Sequence, residues 1–88
     1  MNQIEVLYFT APWCTPCKAF LPEVEAFCKE QGVNLTVYDV HLDAEATQRH
    51  SVKSVPTLII LSGEDMRFRA SGVMPRQQLI NELLRIGG

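Results

Sequence analysis

The apolar and polar positions along the chain predict an alternation of short strands and helices. Residues 4–9 form an apolar run rich in strand formers, which is typical of a strand buried on both faces in a parallel sheet. Apolar residues then recur at steps of three and four until Gly32, which predicts a long helix with a kink at Pro22. The apolar positions of this helix are Cys17, Phe20, Leu21, Val24, Phe27 and Cys28.

The remaining pattern predicts a strand over residues 35–42, a short helix from Ala44 to about His50 with Asp43 as its N-cap, and a strand over residues 57–61. A turn over residues 62–65 and an alternating strand over residues 66–71 predict an antiparallel hairpin. A last helix begins near Pro75. The resulting order βαβαββα predicts an α/β fold, with a four-stranded mixed sheet flanked by three helices in a single domain over residues 1–88.

Composition and charge argue against several functional classes. The chain has 88 residues, 47% of them apolar, and a net charge of -2, so it offers no basic patch for nucleic acid or an anionic membrane. No apolar run reaches the roughly 20 residues that span a bilayer, and the first residues lack the basic segment of a signal peptide. We therefore expect a cytoplasmic monomer without nucleic-acid or membrane partners.

The three cysteines point to redox chemistry. Their odd number is unusual for a secreted disulfide scaffold and favours a reducing compartment. Cys14 and Cys17 lie where the first strand ends and the long helix begins, and a helix N-terminus stabilises a thiolate. Two intervening residues also let the sulfurs form a disulfide. The alternative of a zinc half-site needs four ligands; Cys28 lies about 16 Å further along the helix at 1.5 Å per residue, and His41 and His50 lack ligand spacing.

Four features at consistent spacing resemble the thioredoxin family over nearly the whole chain. They are the active-site segment Trp13-Cys14-Thr15-Pro16-Cys17-Lys18, the helix proline Pro22, the segment Val55-Pro56-Thr57, and Gly72 before the last helix. The resemblance implies a minimal thioredoxin fold and a protein disulfide oxidoreductase in which Cys14 is the nucleophile and Cys17 the resolving thiol. It implies no bound cofactor or metal. Its partners would be protein disulfides and a thioredoxin reductase or similar electron donor.

The same resemblance assigns the substrate contacts. Pro56 would be cis and lie against the disulfide, and Val55 would offer backbone hydrogen bonds to an extended substrate. The full set of expected contacts is Trp13, Thr15, Pro16, Val55, Pro56, Gly72 and Val73. Cys28, by contrast, lies on the apolar stripe and is expected to be a buried side chain without a redox role.

Three departures from the family pattern bear on mechanism. The usual N-terminal strand and helix are missing, Thr15 replaces a glycine, and Tyr8 stands where the family has a buried aspartate that helps to move the proton of the resolving cysteine. A phenol with a pKa near 10 is a poor base at neutral pH. We therefore predict that Tyr8 hydrogen-bonds Asp39 on the second strand and that Asp39 accepts the Cys17 proton. The alternative is that Asp39 only caps a strand end.

Two other functions stay open. A glutaredoxin-like reductase that uses glutathione would suit the short fold, although residues 70–73 do not supply the Gly-Gly-x-Asp-like segment that glutaredoxins usually carry. A binding subunit that uses the fold without redox chemistry would not need the intact cysteine pair.

Overall fold

The protein folds around one four-stranded sheet. In the computed structural model, residues 3–87 are described, and the predicted domain also includes residues 1, 2 and 88, which lie outside this range. The elements are β1 (Ile4–Thr10), α1 (Thr15–Gln31), β2 (Asn34–Asp39), α2 (Ala44–Arg49), β3 (Thr57–Ser62), β4 (Asp65–Ser71) and α3 (Arg76–Gly87). The predicted order βαβαββα is confirmed.

The sheet is mixed, with strand order β2-β1-β3-β4. β1 and β2 are parallel and are joined through α1, as the sequence predicts. β1 pairs antiparallel with β3, and β3 forms the predicted antiparallel hairpin with β4. β1 is an inner strand of the sheet, between β2 and β3. The end of β1 leads directly to the cysteine pair.

Alternate side chains of β1 enter two different cores, which explains its continuous apolar run. Val6 and Tyr8 face a core that includes side chains of α1 and α3. Leu7 and Phe9 face a second core that includes Ala46 of α2. The prediction of a strand buried on both faces is confirmed.

Helix α1 begins and ends where the sequence provides signals. Cys14 is its N-cap, Pro16 lies in its first turn, and Gly32 closes it in the left-handed conformation with φ 67°. A left-handed residue at a helix end favours glycine because glycine has no Cβ to clash. Pro22 lies inside the helix, where it removes one backbone donor.

The segment between β2 and α2 differs from the prediction in one boundary and in one side-chain hydrogen bond. β2 ends at Asp39 rather than Leu42, because the chain turns there with Leu42 N–H donating to the Asp39 carbonyl oxygen at 3.1 Å. Asp43 is the N-cap residue of α2, as predicted, but its side chain makes no cap hydrogen bond. Its carboxylate accepts from the backbone N–H of Asp39 at 2.9 Å instead, so it stabilises the turn before the helix.

Candidate active site

The cysteine pair lies at the junction of β1 and α1. Cys14 and Cys17 form a disulfide with a Cα–Cα distance of 5.3 Å. The backbone N–H of Cys17 donates to Cys14 Sγ at 3.2 Å, which places a helix N-terminal donor directly on that sulfur. Cys14 is 5% exposed and Cys17 is fully buried, so Cys14 is the more accessible residue of the pair. The arrangement suits a pair in which one sulfur meets substrates and the other stays inside.

The two cysteines contact a small apolar cluster. Ala11 is buried with them, and the half-buried side chains of Val40 and Val55 pack against the group. Val40 follows β2 and Val55 precedes β3, so three separate segments meet at the disulfide. Neither Ala11 nor Val40 belongs to the site predicted from the sequence. Ala11 follows the predicted first strand, and Val40 lies within the predicted second strand.

The loop before β3 reaches the cysteine pair through Val55, and Pro56 is the next residue. Their peptide bond is cis, and Pro56 is buried. The backbone N–H of Gly72 donates to the Pro56 carbonyl oxygen at 2.8 Å. Gly72 has φ 92°, a conformation that favours glycine. The segment that carries Gly72 is therefore tied to the segment that carries Val55.

Two large apolar side chains near the site are open to solvent. Trp13, adjacent to Cys14, is 73% exposed, and Val73, adjacent to Gly72, is 58% exposed. Thr15 and Pro16 between the cysteines are also exposed. Exposed apolar groups beside a buried disulfide offer a contact surface for a partner chain.

The predicted hydrogen bond between Tyr8 and Asp39 is wrong. The Tyr8 hydroxyl donates to the backbone carbonyl oxygen of Cys17 at 2.8 Å. Asp39 Oδ1 accepts from the backbone N–H groups of His41 at 2.7 Å and Leu42 at 3.3 Å, so its carboxylate stabilises the turn after β2. This is the strand-end capping that the sequence analysis left open as the alternative.

Tyr8 holds its proton tightly. Its side chain is fully buried, and burial raises its pKa to about 12. A phenol with this pKa stays neutral at physiological pH and acts there as a hydrogen-bond donor. Tyr8 therefore anchors the first turn of α1 to β1 through the Cys17 carbonyl group.

The third cysteine lies apart from the pair. Cys28 is a free, buried thiol in the core between the sheet, α1 and α3. Burial raises its pKa to about 11, which disfavours the reactive thiolate. Within residues 3–87, no group of three or more His, Cys, Asp or Glu side chains is arranged to hold a metal ion. No helix in the described part of the chain is both long and apolar enough to cross a membrane.

Comparisons with known proteins agree with this geometry. The thioredoxin family model matches residues 1–85. Thioredoxin 1 of Chlorobaculum tepidum is 34% identical over 82 residues, which cover 91% of this chain and 81% of that protein. Thioredoxin of Bacillus subtilis is 33% identical over 81 residues, covering 86% of this chain and 78% of the relative.

Solved structures give the same result. The structure of thioredoxin 1 from Thermosipho africanus superposes with a TM-score of 0.86 at 29% identity, covering 93% of this chain and 92% of that one. A malaria parasite thioredoxin-2 gives a TM-score of 0.88 at 30% identity, covering 96% and 84%. With its Cys14–Cys17 redox pair, this chain belongs to the thioredoxin family and is a thiol–disulfide oxidoreductase.

Proposed function

We propose that Cys14 opens the substrate disulfide and that Cys17 completes the reaction. The Cys14 thiolate attacks one sulfur of a protein disulfide, forms a mixed disulfide and expels the other substrate sulfur as a thiolate. The Cys17 thiolate then attacks Cys14 Sγ, and the bound substrate sulfur leaves. The substrate gains two electrons and two protons, and the protein is left with the Cys14–Cys17 disulfide.

The hydrogen bond from Cys17 N–H to Cys14 Sγ carries this assignment. A donor and a helix N-terminus at Cys14 Sγ favour its thiolate form. The full burial of Cys17 limits its direct access to a macromolecule, whereas Cys14 Sγ is its immediate neighbour. Initial attack by Cys14 and intramolecular attack by Cys17 follow from these positions.

Trapping of the mixed disulfide tests the order of attack. A Cys17→Ser variant should accumulate a covalent adduct through Cys14, because the resolving thiol is absent. A Cys14→Ser variant should accumulate little. Mass spectrometry of adducts with a disulfide-bonded protein measures both, and predominant trapping through Cys17 would reverse the assignment.

The substrate is proposed to lie across the exposed residues around the pair. Trp13, Thr15 and Pro16 would contact it on the helix side. Val55 and Pro56 would meet its backbone, and Gly72 with Val73 would border the opposite side. The exposure of Trp13 and Val73 and the link between Gly72 and Pro56 support this arrangement.

Asp39 is retained as a candidate proton acceptor for Cys17, although its predicted partner is wrong. The Asp39→Asn variant separates this role from capping, because an asparagine side-chain oxygen can still accept from His41 and Leu42. If Asp39 takes the proton, the variant slows attack by Cys17 in single-turnover reduction and spares attack by Cys14. If the variant keeps wild-type rates for both steps across the pH range, Asp39 is not the proton acceptor and capping is its role.

The electron donor is proposed to be a thioredoxin reductase, and the compartment the cytoplasm. The free Cys28 supports a reducing compartment, and we propose that the protein acts as a monomer without nucleic-acid or membrane partners. Insulin reduction coupled to NADPH through a thioredoxin reductase should proceed, whereas glutathione with glutathione reductase should support it poorly. The reverse preference would favour the glutaredoxin-like alternative, and reduction with neither donor would favour a binding subunit.

A further inference from the structure

One edge of the sheet is formed by β2. This strand comes first in the order β2-β1-β3-β4, and within residues 3–87 it is paired only with β1. A strand at the edge of a sheet presents backbone N–H and C=O groups that can pair with a further strand. The groups that remain free on the outer edge of β2 determine what can bind there.

Backbone hydrogen bonds show which residues of β2 point outward. Val40, which follows β2, donates its N–H to the Thr10 carbonyl oxygen of β1 at 2.9 Å, so its backbone groups point toward β1. Because the backbone groups alternate in direction along a strand, the other even-numbered residues of β2 also point toward β1. The backbone groups of Leu35, Val37 and Asp39 therefore point outward.

Both ends of the outer edge are already hydrogen-bonded. The Asp39 N–H donates to Asp43 Oδ2 at 2.9 Å, and the Asp39 carbonyl oxygen accepts from the N–H groups of Leu42 and Asp43. At the other end, the Val33 N–H donates to the Cys28 carbonyl oxygen at 3.0 Å. Among the described residues, the outward N–H and C=O groups that remain free together belong to the two odd-numbered residues in between.

These free groups match a second copy of the same strand. A closed pair of identical chains is related by a two-fold axis, which makes the two adjoining β2 strands antiparallel. A register centred on Thr36 places Leu35 opposite Val37 of the second copy, twice, and each of these pairs exchanges both hydrogen bonds. A register centred one residue earlier or later would instead need the groups of Val33 or Asp39, which are already bonded.

The side chains in this register are also complementary. Leu35 and Val37 lie on the same face of β2, and Leu35 packs against the core that α1 covers. Val37 is 41% exposed in the single chain and would gain the Leu35 side chain of the second copy as an apolar neighbour. Thr36 lies opposite Thr36 of the second copy, and cross-strand threonine pairs are favourable.

The other edge of the sheet is protected against such pairing. β4 carries Arg67 and Arg69, and its register with β3 shifts at a bulge between Ile60 and Leu61. Charged side chains and bulges are the usual features that prevent edge-to-edge association. Residues 34–38 of β2 include no charged residue and no proline, so two copies meet there without repulsion between like charges.

We propose that two copies of this chain form a dimer through β2, in an antiparallel register centred on Thr36 that joins the two sheets into one. The interface is small, and small interfaces are weak. The monomer proposed above therefore predominates in dilute solution, and the dimer forms as the concentration rises. Each copy keeps its own Cys14 and Cys17, so reduction of a substrate does not require the dimer.

Oxidative cross-linking of Thr36→Cys tests the register. Opposite Cα atoms in a non-hydrogen-bonded antiparallel pair are about 4.5 Å apart, which a disulfide can span. Replacing Cys14 and Cys17 with serine keeps the redox pair from exchanging the new bond. The variant should become a covalent dimer on oxidation. Met66→Cys is the matched control, because Met66 lies on the β4 edge and is 56% exposed, and it should cross-link far less.

Sedimentation and hydrogen exchange test the interface without a new cysteine. The mass of the wild-type protein should move from that of one chain toward that of two as its concentration rises. Exchange of the Leu35 and Val37 amide protons should slow in parallel, because both become hydrogen-bonded in the dimer. Val37→Lys should keep the fold and remove the association, since lysine on an edge strand opposes pairing. Met66→Lys, the control on β4, should associate like the wild type.

Several results would overturn the proposal. They are a mass of one chain up to millimolar concentration, equal cross-linking of Thr36→Cys and Met66→Cys, or a dimer that forms without protection of the Leu35 and Val37 amides. Association that persists in Val37→Lys would place the interface elsewhere. Protection of these amides only after a different protein is added would assign the edge to that partner. None of these measurements depends on disulfide reduction, so the proposed function stands or fails separately.

Discussion

The hydrogen bond from Tyr8 to the Cys17 carbonyl oxygen provides a quantitative test of how α1 is attached to the sheet. Tyr8→Phe removes one oxygen and leaves the ring, which packs edge-on against Phe20 with ring centroids 5.9 Å apart. A net intramolecular hydrogen bond contributes about 0.5–1.5 kcal/mol, and a buried acceptor left without its donor costs about 1–3 kcal/mol. Because the lost bond is buried, we expect the variant to lose about 1–2 kcal/mol of unfolding free energy.

Denaturant unfolding of the oxidised protein measures this loss as a shift of the midpoint at constant slope. Tyr38→Phe is a matched control. Tyr38 lies on β2, is half-buried and stacks on Phe9 with ring centroids 5.1 Å apart, but its hydroxyl is in no side-chain hydrogen bond among the described residues. The control should change stability by no more than about 0.5 kcal/mol. Equal effects of the two substitutions, or no effect of Tyr8→Phe, would refute an anchoring role for the Tyr8 hydroxyl.

The pH dependence of the same difference gives a second readout. Burial raises the pKa of Tyr8 from 10.0 to about 12, so the native state holds this proton more tightly than the unfolded state. The advantage of the wild type over Tyr8→Phe should be fully present below pH 10 and should shrink between pH 10 and 12. The advantage can fall by at most about 1.4 kcal/mol of unfolding free energy per pH unit, the slope for one proton. A constant difference through pH 12 would contradict the raised pKa.

Three further substitutions have distinct expected outcomes. Cys28 should resist alkylation in the folded protein, and Cys28→Ala should cost on the order of 1 kcal/mol while leaving insulin reduction nearly unchanged. Because its pKa is raised from 9.0 to about 11, the wild type should lose stability between pH 9 and 11, more than Cys28→Ala does. Trp13→Ala should lower the rate of protein reduction but change the denaturation midpoint little, since Trp13 is exposed. Gly72→Ala should lower the melting temperature through backbone strain at φ 92°. A steric clash would not contribute, because a Cβ at this position would meet no atom within 4 Å.

The periodicity of the sequence predicts elements well where a strand or helix is buried in a regular way. β1 is identified because both of its faces enter a core, and α1 because its apolar stripe ends at a glycine. The end of β2 is different. Val40 and Leu42 continue the alternating apolar pattern of the strand in the sequence. In the structure, however, Val40 packs against the cysteine pair and Leu42 is 78% exposed. The side chains of Asp39 and Asp43 bond to turn amides, and apolar periodicity contains no signal for such bonds.

The partner of Tyr8 shows what the alternation of side chains along a strand can and cannot predict. Alternation along β1 puts Val6 and Tyr8 on one face of the sheet, and both lie in the core that α1 covers. It does not determine where the end of a long side chain finds an acceptor, because that depends on how closely the helix approaches the strand. Here the first turn of α1 brings the Cys17 carbonyl oxygen within 2.8 Å, and the hydroxyl bonds to it rather than to a side chain of the neighbouring strand.

The replacement of a carboxylate by Tyr8 changes what this position contributes to the reaction. A carboxylate can accept a proton, whereas a phenol whose pKa is about 12 donates a hydrogen bond throughout the physiological range. Tyr8 fixes the backbone of Cys17 from the β1 side, and the Gly72–Pro56 hydrogen bond fixes the opposing loop. The backbone of Cys17 and the loop before β3 are therefore each fixed by a hydrogen bond to a neighbouring segment. It follows that the pH dependence of resolution reflects the Cys17 thiol and any acceptor near it, not Tyr8, so Tyr8→Phe should leave the shape of that pH profile unchanged.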